Sequence, residues 1–206
     1  MTGTIALQGG GPFTANDDLD RQLLADVGAT KIVMLPTADA FEHPERLVAS
    51  AMTWGERLDI EVEALMVLNR SDALDKGAAK VVRSATAVFL VGDQPLHLRS
   101  VLKDTPTWQA IAHVVDHGGL VVAVGGSASA MCDPMVDPRG GAFTLGLGLV
   151  DGMAFVSEAE TWSLERLHRT LKLANTPVVC SPTCSAMVRH DGAWRHVGQT
   201  EVHGDL

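Results

Sequence analysis

Leu120-Val-Val-Ala-Val-Gly-Gly-Ser127-Ala-Ser-Ala-Met131 decides the fold class. An apolar run rich in valine ends at a glycine pair, and small residues able to open a helix follow. A short apolar run bounded by glycine reads as a strand buried on both faces, the habit of parallel sheets. Glycine permits a sharp turn at the strand's carboxyl end, and such a turn can present a side chain to a ligand. Ser127 is the side chain this reading places there. The helix after it would offer backbone N–H groups to a developing oxyanion.

Outward from this stretch the same alternation repeats. Strands are expected at 4–8, 31–36, 60–66, 87–91 and 120–124, with helical segments near 17–27, 43–58, 72–83, 95–103 and 107–117. Short β-branched runs alternating with longer amphipathic ones mean parallel strands joined by crossover helices. Thr105 before Pro106, and Asp93 or Gln94 before Pro95, place a cap ahead of a proline at the first helical turn. Leu164, Leu167, His168 and Leu171 form a helical stripe after Thr161 or Ser163. Strands are expected again at 177–181, 185–189 and 193–197, with His190-Asp191-Gly192 as the turn between the last two. The Pro- and Gly-rich stretch 133–148 reads as a long loop. The expected architecture is a three-layer α/β/α sandwich with a mostly parallel sheet and short antiparallel strands at its C-terminal end. It forms one domain over residues 1–206.

Composition narrows the function classes. With 206 residues, 46% apolar and 20% charged, the chain can bury a sizeable core. A formal charge of −9 with scattered Lys and Arg argues against nucleic acid, whose phosphates need clustered cations. No apolar run approaches the roughly 20 residues that cross a bilayer. The N-terminus lacks the basic-then-apolar pattern of a signal peptide. Three Cys at 132, 180 and 184 suit a reducing compartment, so the cytoplasm is expected. Cys180 and Cys184 with His190 and His196 match no standard zinc spacing, and neither metal nor other cofactor is expected.

A second glycine turn, Val91-Gly92-Asp93-Gln94, ends the strand at 87–91 and is followed by Leu96-His-Leu-Arg99. In order along the chain stand Gly9-Gly10-Gly11, Leu35-Pro36-Thr37-Ala38, Gly92-Asp93-Gln94, Gly125-Gly126-Ser127-Ala128-Ser129-Ala130, Asp133-Pro134-Met135 and Gly146-Leu147-Gly148-Leu149. In this order the chain resembles peptidase family S51, the cyanophycinases and dipeptidase E, over about residues 4–198. The resemblance implies a fold like the class I glutamine amidotransferases and a serine hydrolase acting on small peptides or amides. It implies Ser127 as nucleophile and the N–H groups of Gly92 and Ala128 as oxyanion hole. Asp93, Gln94, His97, Arg99 and Ser157 would meet the substrate. Related folds occur as monomers and as homodimers.

The family pattern is incomplete here. Val91 stands for a glycine and Ser129 for another. Ser157 falls where the family carries its catalytic histidine, and Thr183 lies about where it carries a C-terminal acid. Serine without a base is a poor nucleophile at neutral pH, and general-base help is worth about two to four orders of magnitude. His168 and His97 are the histidines left as substitutes, each also explained as a structural side chain. Asp133, Asp137 and Glu158 are left for the acid, with Asp137 favoured. Two readings follow: an S51-like hydrolase with an unusual base, or a binding or regulatory protein that keeps the scaffold without turnover.

Overall fold

The computed structural model describes residues 2–205. The first half of the chain runs β1 (Thr4–Gln8), α1 (Asp17–Asp26), β2 (Lys31–Leu35), α2 (Pro44–Leu58), β3 (Glu61–Ala64), α3 (Arg70–Leu74) and α4 (Lys76–Arg83). Then come β4 (Ala87–Val91), α5 (Pro95–Leu102), α6 (Pro106–Asp116), β5 (Leu120–Val124) and α7 (Gly126–Met131). Short strands follow: β6 (Cys132–Asp133), β7 (Met135–Val136), β8 (Phe143–Thr144), β9 (Val150–Asp151) and β10 (Ala154–Ser157). The chain closes with α8 (Leu164–Leu173), β11 (Val178–Ser181), β12 (Ala186–His190), β13 (Ala193–Val197) and β14 (Glu201–His203).

Seven strands form the main sheet in the order β13-β12-β1-β5-β4-β2-β3. The five from β1 to β3 run parallel, and β12 and β13 add antiparallel at one side. Alternate side chains bury into two cores. Ile5, Leu7, Val88, Leu90 and Val121 pack with α4, α5, α6 and α7 on one face. Ala6, Ile32, Phe89 and Val122 pack with α1 and α2 on the other, where Trp54 is 0% exposed. This is the expected mixed α/β sandwich. No helix among the described residues is long and apolar enough to cross a membrane.

Three expectations need refinement. The helical segment at 72–83 is two helices, because Asp75 leaves the helical region at ψ 125° and caps the second by accepting from Ala78 N–H at 3.0 Å. The loop at 133–148 holds a small hairpin, with Met135 opposite Thr144. The strand expected at 177–181 does not join the main sheet: β11 pairs with β10 and β14 in a separate three-stranded sheet. The expected caps at Thr105 and Ser163 form, accepting from Trp108 and Arg166 N–H, each at 3.2 Å. A two-residue turn at Asp191-Gly192, both at positive φ, joins β12 and β13.

A chain of polar side chains lies under the first turn of the molecule. Gln8 donates to Asp20 at 2.6 Å, Asn16 donates to Gln8 at 3.1 Å, and Asn16 also reaches the Gly10 carbonyl at 3.5 Å. Asp20 is 2% exposed, and burial raises its pKa from 3.8 to about 7 against the lowering effect of the Gln8 bond. The folded state therefore holds this proton where the unfolded chain has lost it. Its stabilising effect is full below about pH 4 and is lost as pH rises to about 7. Asp20→Asn should flatten that decline and raise stability near pH 8 by about 1–3 kcal/mol, read from urea unfolding at both ends of the range.

Candidate functional site

Helices leaving β1 and β2 lie on one face of the sheet and those leaving β4 and β5 on the other. Where connections part in this way, a crevice opens at the carboxyl ends of the strands. Gly9-Gly10 after β1, Asp39 in the short turn after β2, Asp93 after β4 and Gly125 after β5 all stand there. Ser157 and Glu158, at the end of β10, close the crevice from the side; Glu158 N–H donates to the Gly9 carbonyl at 2.9 Å. The cleft has a volume of 190 Å³, and its walls include Asp93, Ser129, Ser157, Glu158, Trp162 and Arg166. A wider hollow of 520 Å³, bounded by Thr30, Asp59 and Glu61, sits at the opposite, amino ends of β2 and β3.

The sharp bend between β5 and α7 is made by Gly125, at φ 67° and ψ −135°, not by Ser127. Only glycine adopts this backbone without strain. An elbow nucleophile must stand at the bend itself, so the position that would carry one has no side chain. Ser127 lies two residues further on, inside the first turn of α7, and is 0% exposed. Its N–H and its hydroxyl both donate to the Gly92 carbonyl, at 2.9 and 3.1 Å. It does not line the cleft. Ser127 thus ties two turns together, which corrects its expected place as the presented side chain.

One of the two expected oxyanion donors is also otherwise engaged. Ala128 N–H donates to the Gly125 carbonyl at 3.0 Å, and Gly92 faces the bend through its carbonyl. The amide that follows the bend, Gly126 N–H, points at Asp93 Oδ1 at 3.3 Å. With no Cβ at 125, the Asp93 carboxylate fills the vacated volume: a Cβ built there would lie 2.4 Å from Oδ1. Asp93 N–H in turn donates to Asp39 Oδ1 at 2.9 Å. Although Asp93 as a residue is exposed, its Oδ1 points inward. Partial burial there raises its pKa, the Gly126 N–H opposes this, and the Asp39 charge adds to the rise.

Of the remaining expected residues, Ser157 lies in the cleft, its Oγ 3.5 Å from that of Ser129. Gln94 is exposed at the start of α5, its N–H bonded to the Ala38 carbonyl at 3.0 Å. His97 bonds the Leu68 carbonyl at 3.0 Å and sits 4.6 Å from the Phe41 ring, a structural position outside the cleft. Arg99 is half-buried on α5 and does not line the cleft. His168 is exposed on α8 and takes no part in the cleft wall, which corrects it as a base. Asp137 is paired with Arg139 at 2.7 Å, which holds its pKa low, and it stiffens the β7–β8 loop instead of serving as the acid. No histidine lines the cleft.

Glu158, one of the three candidates for the acid and not the favoured one, lines the cleft. Its backbone is left-handed at φ 46°, ψ 46°, and a Cβ on Gly10 would come within 2.8 Å of its Cγ. Burial and the nearby charges of Asp93 and Glu160 raise its pKa. Trp162 and Arg166 were not foreseen. The guanidinium lies 3.5 Å from the Trp162 ring centre and donates to the Pro138 carbonyl.

A mixed α/β sandwich with a large, mostly parallel sheet and a cleft at a strand–bend–helix junction is the class that this fold and site define. Residues 5–135 match peptidase family S51, and the chain belongs to that family. Its fold is similar to a peptidase from an acI-B1 Actinobacterium, at 24% identity and TM-score 0.87, covering 98% of this chain and 90% of that one. It is also similar to a peptidase E-type protein from Listeria monocytogenes EGD-e, at 14% identity and TM-score 0.73, covering 95% and 98%. Among curated proteins, none matches this chain.

Ser127→Ala should cost about 1 kcal/mol of stability through the lost bond to Gly92, whereas Ser157→Ala on the cleft wall should stay within about 0.5 kcal/mol. Gly126→Ala should cost about 1–3 kcal/mol, because its Cβ would lie 2.7 Å from the Asp93 backbone, which cannot swing aside. Urea unfolding of the three variants checks this order.

Proposed function

We propose that this S51 family member binds a small molecule in its cleft without hydrolysing it. The observation that carries this reading is that the bend falls on Gly125, which has no side chain, while Ser127 stands outside the cleft lining. Three further features support it. The Ser127 hydroxyl is sealed in the core and already bonded. No imidazole lines the cleft to act as base. The amide best placed to receive an oxyanion faces a carboxylate, which would oppose rather than stabilise developing negative charge. Family membership alone does not supply turnover, because activity belongs to the site and not to the fold.

The hydrolase alternative needs Ser127 or Ser129 to act. Ser129 borders the cleft, but its hydroxyl meets only Ser157, which is no base at neutral pH. A peptide or amide fragment remains a fitting guest, since the scaffold's relatives include peptidases. Two of the three cysteines are buried and none is paired, in keeping with the cytoplasm as the proposed compartment.

The test is chemical. Wild-type protein incubated with a small fluorophosphonate should take no added mass at any serine, and should release no product from acidic dipeptides. A stoichiometric adduct at Ser127 or Ser129, found by peptide mass mapping, would overturn the proposal.

A further inference from the structure

We infer that Asp20 is a proton-controlled latch on one wall of this cleft: while protonated it holds the turn at 9–16 against Glu158, and loss of the proton releases that turn. Such a latch regulates the cleft whether or not the guest is hydrolysed, so it does not depend on the reading above.

The latch is a line of side chains joining a buried carboxyl to the cleft. Gln8, Asn16 and Asp20 are each more than nine-tenths buried. Asp20 accepts from the Gln8 amide, Gln8 accepts from Asn16, and Asn16 reaches the Gly10 carbonyl. Gly9 and Gly10 then meet a cleft residue directly. The Gly9 carbonyl accepts from Glu158 N–H at 2.9 Å, and a Cβ on Gly10 would lie 2.8 Å from Glu158 Cγ. The wall is thus held from behind by a carboxyl sealed from solvent.

Burial is what chiefly opposes a charge on Asp20, and Asp17 on the same helix adds a like charge. Among the described residues no Lys, Arg or His forms an ion pair with it. Arg57 on α2 is already taken by both Asp17 oxygens, at 2.6 and 2.9 Å, and by the Phe13 carbonyl at 2.9 Å. Asp18 and Arg21 pair with each other on the exposed side of α1. β1 offers only the neutral Gln8 amide. The Trp54 indole N–H, from α2, is buried and makes no hydrogen bond within normal limits, yet stands near enough to favour the ionised form. Burial outweighs both donors. An ionised Asp20 is therefore a buried charge without a counter-ion, and opening that admits water relieves the cost.

The turn is where opening costs least. Residues 9–16 lie in neither helix nor strand, and Thr14 and Ala15 N–H both depend on the one Gly11 carbonyl. Segments with few backbone bonds open locally well before the whole fold does. Phe13 stays packed on Trp54 and Phe89, so the release falls on Gly9–Gly11 and on Asn16. The Asp20 pKa is about 7 when closed and returns to 3.8 when water reaches it. Opening therefore gains as pH rises from about 4 to about 7 and levels off above that. Asp93 and Glu158 also carry raised pKa values, but they stand on the cleft side of the turn.

Residue-resolved amide hydrogen exchange of the full chain at pH 5 and pH 8, corrected for the intrinsic pH dependence of exchange, tests the latch. Protection of the Thr14, Ala15 and Glu158 N–H groups should fall by up to about a hundredfold from pH 5 to pH 8. Phe89 and Val122, in central strands, should stay protected at both. Asp20→Asn keeps the shape and an acceptor for Gln8, and should reduce the fall to less than about threefold. Glu158→Gln should leave the fall at Thr14 and Ala15 in place. The carbon-13 shift of the wild-type Asp20 carboxyl needs no variant and should titrate with a midpoint of about 7. A midpoint below about 5, equal protection at both pH values, or an undiminished fall in Asp20→Asn would each overturn the inference.

Discussion

Two strand-to-helix turns stand back to back at the carboxyl ends of β4 and β5, and everything at the cleft depends on how closely they approach. The Gly92 carbonyl accepts two bonds from Ser127, while Asp93 Oδ1 returns one acceptor to Gly126 N–H. The fit leaves no space for side chains: a Cβ on Gly92 would lie 2.6 Å from Asp39 Oδ1, and one on Gly126 would run into the Asp93 backbone. Ordinary van der Waals exclusion thus fixes glycine at these positions. It also decides that the carboxylate, not a hydroxyl, faces the cavity.

The electrostatic character of the cleft follows from the same arrangement. Asp93 is pulled inward by an amide hydrogen and Glu158 is pressed against a glycine, so two acids line a confined volume beside Arg166. A hydrolase of this class needs a place for negative charge to develop. Here negative charge is present from the start. The overall charge of −9 agrees in sign but explains nothing by itself, because local placement governs binding.

The layering of the fold was legible in the sequence because buried parallel strands are continuous apolar runs, as in Ala87–Val91 and Leu120–Val124. Proline and threonine at 105–106 announced a helix start with equal clarity. The small sheet of β10, β11 and β14 was only partly visible: β11 is apolar enough to notice, but partner choice between strands leaves little trace in a single chain. The site was misplaced by two residues. Both Gly125 and Gly126 could have made the bend, and the sequence Gly-Gly-Ser does not say which one turns to positive φ. Asp137 and His168 were plausible by residue type alone. Their orientation is set by Arg139 in one case and by helix phase in the other, where Thr170 rather than His168 faces inward. Glu158 was passed over in favour of Asp137 because a left-handed glutamate has no local signature.

The flanks of the main sheet have a consequence for how copies of this chain meet. At one side Lys31 bridges Glu61 and Glu63 on β3, at 2.8 and 3.1 Å. At the other, Arg195 and His196 stand exposed on β13. An added strand from a second molecule would have to cover these polar groups to reach the open backbone beyond them. Charged side chains on edge strands disfavour edge-to-edge pairing, and both margins of this sheet carry them.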